Sequence, residues 1–138
     1  VYDKPMIYYP LTTLILAGVN EVLVITRPED APSFKALLGD GSELGIAISY
    51  AQQEKPAGLA QAPLIAEEFL DGEGFCLILG DNFLYGSGLG RKLQNLSSVD
   101  GAKVFAYKVN NPSQYGVIEL DDAGLVKSIE EKPLVPKS

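Results

Sequence analysis

The sequence predicts an α/β fold, a sandwich of helices around a mainly parallel sheet. Two observations carry this. Helical and extended segments alternate up to about residue 100, and the first extended one, 22–26, is short, β-branched and apolar. A strand without a polar face is buried on both sides, the condition of a parallel sheet covered by helices. The chain has 138 residues, and domains run to roughly 100–200 residues, so the expectation is a single partial domain over residues 1–138.

Residues 5–17 (PMIYYPLTTLILA) open on Pro5, which suits a first helical position, and Met6, Ile7, Tyr9, Leu11, Leu14 and Ile15 recur at helical spacing. Gly18 supplies the stop, and Pro10 either kinks the helix or marks its true start. Residues 22–26 (VLVIT) form the first strand. Residues 28–38 read as a helix, 39–42 (GDGS) as a turn and 46–51 as the second strand. Residues 59–70 (LAQAPLIAEEFL) return to helical spacing with Pro63 as a flaw, 75–79 (FCLIL) make the third strand, and 89–96 a helix. Three later segments, 103–109, 115–120 and 125–130, look extended, and 121–124 (DDAG) is a hairpin turn between the last two. These last strands read as an antiparallel extension of the sheet.

Composition removes several functions. The formal charge is 11 − 18 = −7, and there is no His and a single Cys. No Ser-His-Asp triad, Cys-His pair, imidazole cage, internal disulfide or Cys-rich zinc site can be built. Cys76 sits within the apolar 75–79 run and is expected in the core. An acidic chain lacks the basic face that nucleic acid needs. No stretch approaches the roughly 20 apolar residues of a membrane span and no signal peptide is visible, so neither nucleic acid nor membrane is expected as a partner and the chain reads as cytoplasmic.

In open α/β sheets ligands bind beyond the carboxyl ends of the strands. Two loops qualify. After the second strand, 52–61 (QQEKPAGLAQ) offers amide side chains able to pair with a base edge, then Gly58, then a helix start with free N–H groups. A polar turn capped by Gly explains the same residues. After the third strand comes Gly80-Asp81-Asn82. A carboxylate there can hold a hard cation while phosphates complete its shell, or it can cap the next turn. The third element is Glu130-Glu131-Lys132-Pro133. On a strand Glu131 and Lys132 face opposite sides, so they share a pocket only where the strand ends or bulges. Otherwise the run is a solvated face.

GLAQA at 58–62, LGDN at 79–82, Tyr115-Gly116-Val117 and EEKP at 130–133, in this order, together with YDKPMIYYPL and LLGDGSELG, resemble the sugar-nucleotide pyrophosphorylase (nucleotidyltransferase) family, and within it the glucose-1-phosphate thymidylyltransferases. The resemblance covers essentially the whole chain. It implies a three-layer α/β/α Rossmann-like nucleotide-diphospho-sugar transferase core lacking the family's first strand. It further implies a reaction in which a sugar 1-phosphate attacks the α-phosphorus of dTTP and pyrophosphate leaves. By resemblance Gln53 and Gly58 bind the nucleotide base, Gly116 and Glu131 bind sugar hydroxyls, Asp81 holds Mg²⁺, and Lys132 joins Asp81 as a catalytic group by holding the sugar phosphate. dTTP and the dTDP-sugar are the implied small-molecule partners. Such chemistry works by placement and charge neutralisation, and needs no His.

The family's Gly-rich phosphate loop, with its Arg and Lys, precedes YDKP, and its second metal-binding Asp follows EEKP. Neither lies within these residues. One preorganised donor at a developing oxyanion is worth about 10²–10³ in rate, or about 2.7–4 kcal/mol, so little or no turnover is expected from the 138 residues alone. The absent first strand would leave unpaired backbone beside 22–26 and 75–79. A folded chain is therefore expected to close the gap or fill it from a second copy, as a homo-oligomer. The alternative to an enzyme-derived fold with a partial site is a non-catalytic module that binds nucleotide or sugar nucleotide, or that assembles with itself.

Overall fold

A computed structural model describes residues 3–55, 57–96 and 100–138. It divides into two compact units, residues 1–98 and 99–138.

The first unit is α/β. Helix α1 spans Tyr8–Ala17 and strand β1 Glu21–Thr26, helix α2 Ala31–Leu38 and strand β2 Ala47–Gln52. β1 and β2 pair in parallel, with Val22 opposite Ile48 and Val24 opposite Tyr50. The crossover through α2 is what a parallel pair requires. Along β1, Val22 and Val24 are buried and Leu23, Ile25 and Thr26 half-buried, as expected of a strand covered on both faces.

The core follows from the periodicities. Leu11 and Leu14 of α1, Val22 and Val24 of β1, Leu38 of α2, and Ile46 and Ile48 at β2 form one buried cluster. Each such side chain stabilises the fold by roughly 1.5–3 kcal/mol. α1 starts at Tyr8, so Pro10 lies in its first turn, where a missing N–H breaks no intrahelical bond. The helix runs unbroken past it, and Pro10 is fully buried. Gly18 closes the helix in the left-handed region (φ 88°), its N–H donating to the carbonyl of Ile15 at 3.0 Å while that of Val19 donates to Leu14 at 3.0 Å.

The turn before β2 is pinned from several sides. The Ser42 hydroxyl and N–H both donate to the Asp40 carboxylate, at 2.6 and 3.0 Å, and hold its pKa below the usual value. The Tyr50 hydroxyl donates to the Gly39 carbonyl at 2.6 Å, and burial, helped by the Asp40 charge, raises its pKa. Gly41 (φ 84°) packs so closely that a Cβ there would lie 2.7 Å from Cγ1 of Ile48 and 2.8 Å from the Ile46 carbonyl oxygen.

Three expectations need correction. The predicted helix at 59–70 is two short ones, α3 (Gln61–Ile65) and α4 (Glu67–Leu70), broken at Ala66. The predicted third strand, 75–79, forms no strand and belongs to no sheet. A strand is held by its neighbours, and none stands beside it among the described residues. Cys76, expected in the core, is therefore exposed, as are Phe75 and Leu77. Of this run Ile78 packs against the core cluster. The short helix α5 (Leu89–Gln94) packs on α1, Gln94 Nε2 donating to the Leu16 carbonyl at 3.2 Å.

The second unit is a hairpin. β3 (Gly116–Leu120) and β4 (Val126–Glu131) pair antiparallel, with an irregularity between Glu119 and Leu120. The turn is built on Asp121, whose carboxylate accepts from the N–H groups of Ala123 and Leu125 at 2.9 and 2.8 Å. The hairpin forms its own two-stranded sheet. Residues 103–109, predicted as a strand, are not in a ladder either.

Gly41→Ala should destabilise the first unit by about 3 kcal/mol, combining left-handed strain with overpacking of Ile48. Gly45→Ala has similar strain (φ 72°) with nothing within 4 Å, and should cost only about 1 kcal/mol. Urea unfolding of the two variants gives both numbers, and equal losses would show that Gly41 is not held by its close approach.

Candidate functional site

Gln53 follows the last residue of β2 and carries the ladder one step further, its N–H donating to the Thr26 carbonyl at 2.8 Å. It thus stands at the carboxyl end of a parallel strand, where ligands of open α/β sheets bind. Its side chain is held in place. Nε2 donates to Oε1 of Gln61 at 2.7 Å, and the same oxygen accepts the N–H of Ala57 at 3.1 Å. Gln61 therefore ties the strand end, the loop and the first residue of α3 together. One N–H and the carbonyl oxygen of the Gln53 amide are left for a ligand. Gly58 adopts φ 92° with nothing within 4 Å of where a Cβ would lie, so its backbone is open to approach. Pro56, between them, lies outside the described residues, as does Tyr2 of the YDKP run.

Asp81 sits in the turn after the 75–79 segment, where the N–H of Asn82 donates to the Leu79 carbonyl at 3.0 Å. It is exposed. Among the described residues no cluster of three acidic, His or Cys side chains exists. Asp81 thus offers one carboxylate, and that suits Mg²⁺, which uses one or two carboxylates and completes its shell with water and substrate phosphates. Neither Gln53 nor Asp81 lines either of two cavities in the first unit, one beside α1 and one beside β1.

Gly116, Glu131 and Lys132 come together in the second unit. Gly116 is paired with Glu131 across the hairpin, and a Cβ on Gly116 would lie 3.3 Å from Oε2 of Glu131. β4 ends at Glu131, and Lys132 turns into the left-handed region (φ 46°), its N–H donating to the Tyr115 carbonyl at 2.9 Å. That turn abolishes the strand alternation. Lys132 Nζ lies 3.7 Å from Oε1 of Glu131, and both side chains are largely exposed. The strand ends there, which lets the two side chains meet, and their exposure fits the solvated-face reading as well. A non-Gly residue held at positive φ stores strain of about 1–2 kcal/mol, a feature that clusters at ligand-binding positions.

Gln61 had a signal in the sequence, as the amide that opens α3, but the length of the Gln53–Gln61 loop hid that the two amides touch. Glu119 is a second surprise. It accepts from the Ser128 hydroxyl at 2.8 Å and from Lys137 at 3.1 Å and pairs with Lys127 at 3.2 Å. These bonds to its charged form lower its pKa to about 2, against a small opposing effect of burial. The contribution is full above its ordinary value of 4.5 and is lost as pH falls through about 2. Carbon-detected NMR titration should place the Glu119 midpoint near 2, and Ser128→Ala with Lys137→Met should move it up toward 4.5.

The comparisons with known proteins bear on this geometry. A family model described as nucleotidyl transferase matches residues 1–138. The chain is 54% identical over 138 residues to a glucose-1-phosphate thymidylyltransferase of Mycobacterium tuberculosis, covering 100% of this chain and 48% of that protein. A glucose-1-phosphate thymidylyltransferase of Neisseria meningitidis is 57% identical over 139 residues, with the same shares covered. The chain thus spans about half the length of the curated relatives it matches. A Bacillus anthracis crystal structure described as a glucose-1-phosphate thymidylyltransferase in complex with sucrose superposes with a TM-score of 0.86 at 32% identity. The match covers 97% of this chain and 54% of that one.

Proposed function

Because the chain belongs to the nucleotidyl transferase family, with the α/β fold of that family, we propose that its 138 residues carry the base- and sugar-recognition groups of thymidylyl transfer. The reaction is dTTP plus a sugar 1-phosphate, glucose 1-phosphate first, giving dTDP-sugar and pyrophosphate. The observation that carries this reading is the Gln53 amide, fixed by Gln61 at a strand end with its remaining donor and acceptor free. A thymine edge presents one N–H flanked by carbonyl oxygens, and a fixed amide reads such an edge with one donor and one acceptor. The open backbone at Gly58 admits the ring beside it. Support comes also from the 54–57% identity to thymidylyltransferases along the whole chain.

The chain's residues act by position and charge. Lys132 attracts the sugar phosphate, its exposed pairing with Glu131 being weak enough to yield to a dianion. Glu131 accepts from sugar hydroxyls, and the Gly116 backbone leaves room for the ring. A phosphate oxygen of the sugar 1-phosphate bonds to the α-phosphorus of dTTP, and the bond from that phosphorus to the bridging oxygen of the leaving pyrophosphate breaks. Asp81 is the carboxylate that would hold Mg²⁺, whose chemistry there is neutralisation of phosphate charge. By themselves the 138 residues turn over little or nothing, since one carboxylate and one Lys leave most of the triphosphate charge unmatched. We place the protein in the cytoplasm with its nucleotide substrate; among the described residues no helix is long and apolar enough to cross a membrane.

Calorimetric titration of dTTP should give binding that weakens about tenfold in Gln53→Ala, as for one or two lost hydrogen bonds, and less in Gln61→Leu, where the amide remains but is no longer held. Binding that ignores both substitutions would refute the assignment of the base site. Lys132→Met should weaken glucose 1-phosphate binding by roughly 10–100-fold, the worth of a charge-assisted bond to phosphate, and leave dTTP binding unchanged. Pyrophosphate release at the rate of the Mycobacterium tuberculosis relative, assayed alongside, would overturn the claim of little turnover.

A further inference from the structure

Glu119 holds more of the second unit than a place in mid-strand requires. It stands opposite Ser128 in the β3–β4 ladder, and its carboxylate gathers three donors. Oε1 pairs with Lys127 Nζ at 3.2 Å, while Oε2 accepts from the Ser128 hydroxyl at 2.8 Å and from Lys137 Nζ at 3.1 Å. Lys127 and Ser128 belong to β4 and tie the hairpin to itself. Lys137 lies beyond the strand's end at Glu131, so its bond ties down a different stretch of chain.

The ladder fixes the course of that stretch. The Lys132 N–H donates to the Tyr115 carbonyl at 2.9 Å. By the alternation of an antiparallel pair, residues 115, 117 and 119 then turn their backbone groups toward β4, and Ile118 turns its own to the outer edge of β3. The Ser138 hydroxyl donates to that outward Ile118 carbonyl at 2.7 Å. The chain that leaves β4 therefore passes from one side of β3 to the other, and Lys132 stands where the passage begins.

This return segment is stiff and is held at its ends. Pro133 and Pro136 fix φ at two of its positions. Pro133 is buried, whereas Leu134 and Val135 are exposed (98% and 81%) and pack against little. One end is fastened by the Lys132–Tyr115 bond, the other by Lys137 on Glu119 and Ser138 on Ile118. Lys132 itself is strained at φ 46°, and a residue with a Cβ keeps such a conformation only where its surroundings over-determine it. One backbone bond to Tyr115 does not do this. A stiff segment fastened at both ends does.

We propose that Glu119 is a positioning residue for the sugar-phosphate group: by holding Lys137 it keeps the return segment in place, and with it the left-handed turn that sets Lys132 beside Glu131. This rests on the reading of Lys132 and Glu131 as ligands of the sugar phosphate, and it supplies the means by which they are aimed. Glu119 itself is engaged by three donors and its side chain is 24% exposed, so it acts through the chain it holds and not on the ligand.

The test uses the 138-residue chain and three variants. Lys137→Met removes the tether from outside the hairpin and leaves Ser128 and Lys127 on Glu119. Glu119→Gln weakens all three bonds, and Lys137→Arg keeps the cation. Calorimetry with glucose 1-phosphate should show binding weakened about three- to fivefold in the first two, the worth of a surface ion pair, and kept in Lys137→Arg. Affinity for dTTP should be the same in all. A second readout is independent of affinity. The N–H and Hα protons of one residue come closest at positive φ, so their nuclear Overhauser signal at residue 132 should be strong in the unaltered chain and in Lys137→Arg. It should fall in Lys137→Met, while the cross-strand Hα–Hα signal between Ile118 and Ile129 stays. A residue-132 signal that survives Lys137→Met overturns the proposal. So does its loss together with the Ile118–Ile129 signal, which would make Lys137 a staple of the whole hairpin. If the residue-132 signal falls and glucose 1-phosphate affinity does not, Lys132→Met decides what has failed. Weaker binding in Lys132→Met overturns the positioning role alone, and unchanged binding overturns the sugar-phosphate reading and this proposal with it.

Discussion

The backbone of β1 is the constraint on which the first unit depends. A buried strand must satisfy polar groups along two edges, and β1 satisfies one of them by its parallel ladder with β2. Its side chains do the rest of what a central strand does. Val22 and Val24 sit in the core cluster between residues of α1, α2 and β2, so the strand cannot leave the interior without unpacking the helices. The core thus fixes β1 in a central position, although its hydrogen bonding is that of an edge. The cavity beside it is lined by every residue from Glu21 to Thr26.

Much of the first unit was legible in the sequence because its signals are local. Pro5 to Gly18 contains a helix and its stop, VLVIT is a strand whose lack of a polar face announces burial, the 46–51 run is a second strand, and their parallel pairing follows from the helix between them. What failed was the inference from composition to pairing at 75–79. Its residues are as strand-like as those of β1, but a ladder is a property of two segments and the sequence of one cannot supply the other. The same reasoning accounts for Cys76, whose expected burial depends on a ladder at 75–79, and for 103–109. The 59–70 pattern failed differently. Its apolar spacing is helical, yet the helix breaks at Ala66, and no hydrogen bond or contact explains why the break falls there.

At the candidate site the residue types were readable and their fixing was not. Gln53 stands at the carboxyl end of β2, as its loop position suggested, whereas Asp81 was expected at the end of a buried strand and follows a segment that joins no sheet. The Gln53–Gln61 bond joins residues eight apart across a loop with no periodicity to reveal it. The turn at Lys132 was foreshadowed, since Glu131 and Lys132 could share a side only if β4 stopped between them, and Pro133 is a reason for it to stop. The ion-paired Glu119 gave no signal, because its partners Ser128, Lys127 and Lys137 come from the facing strand and from beyond it.

These modes of fixing divide the proposed chemistry by what each part depends on. Gln53 is held by Gln61 and by the ladder to Thr26, and Lys132 by the hairpin backbone and its bond to Tyr115. Both placements rest on short, local, satisfied contacts. Asp81 is different. It hangs at the end of 75–79, a segment anchored to the core by Ile78 and otherwise without a ladder. A metal carboxylate has to be positioned to within about half an ångström to stabilise a transition state, and an unpaired segment does not hold its end so closely.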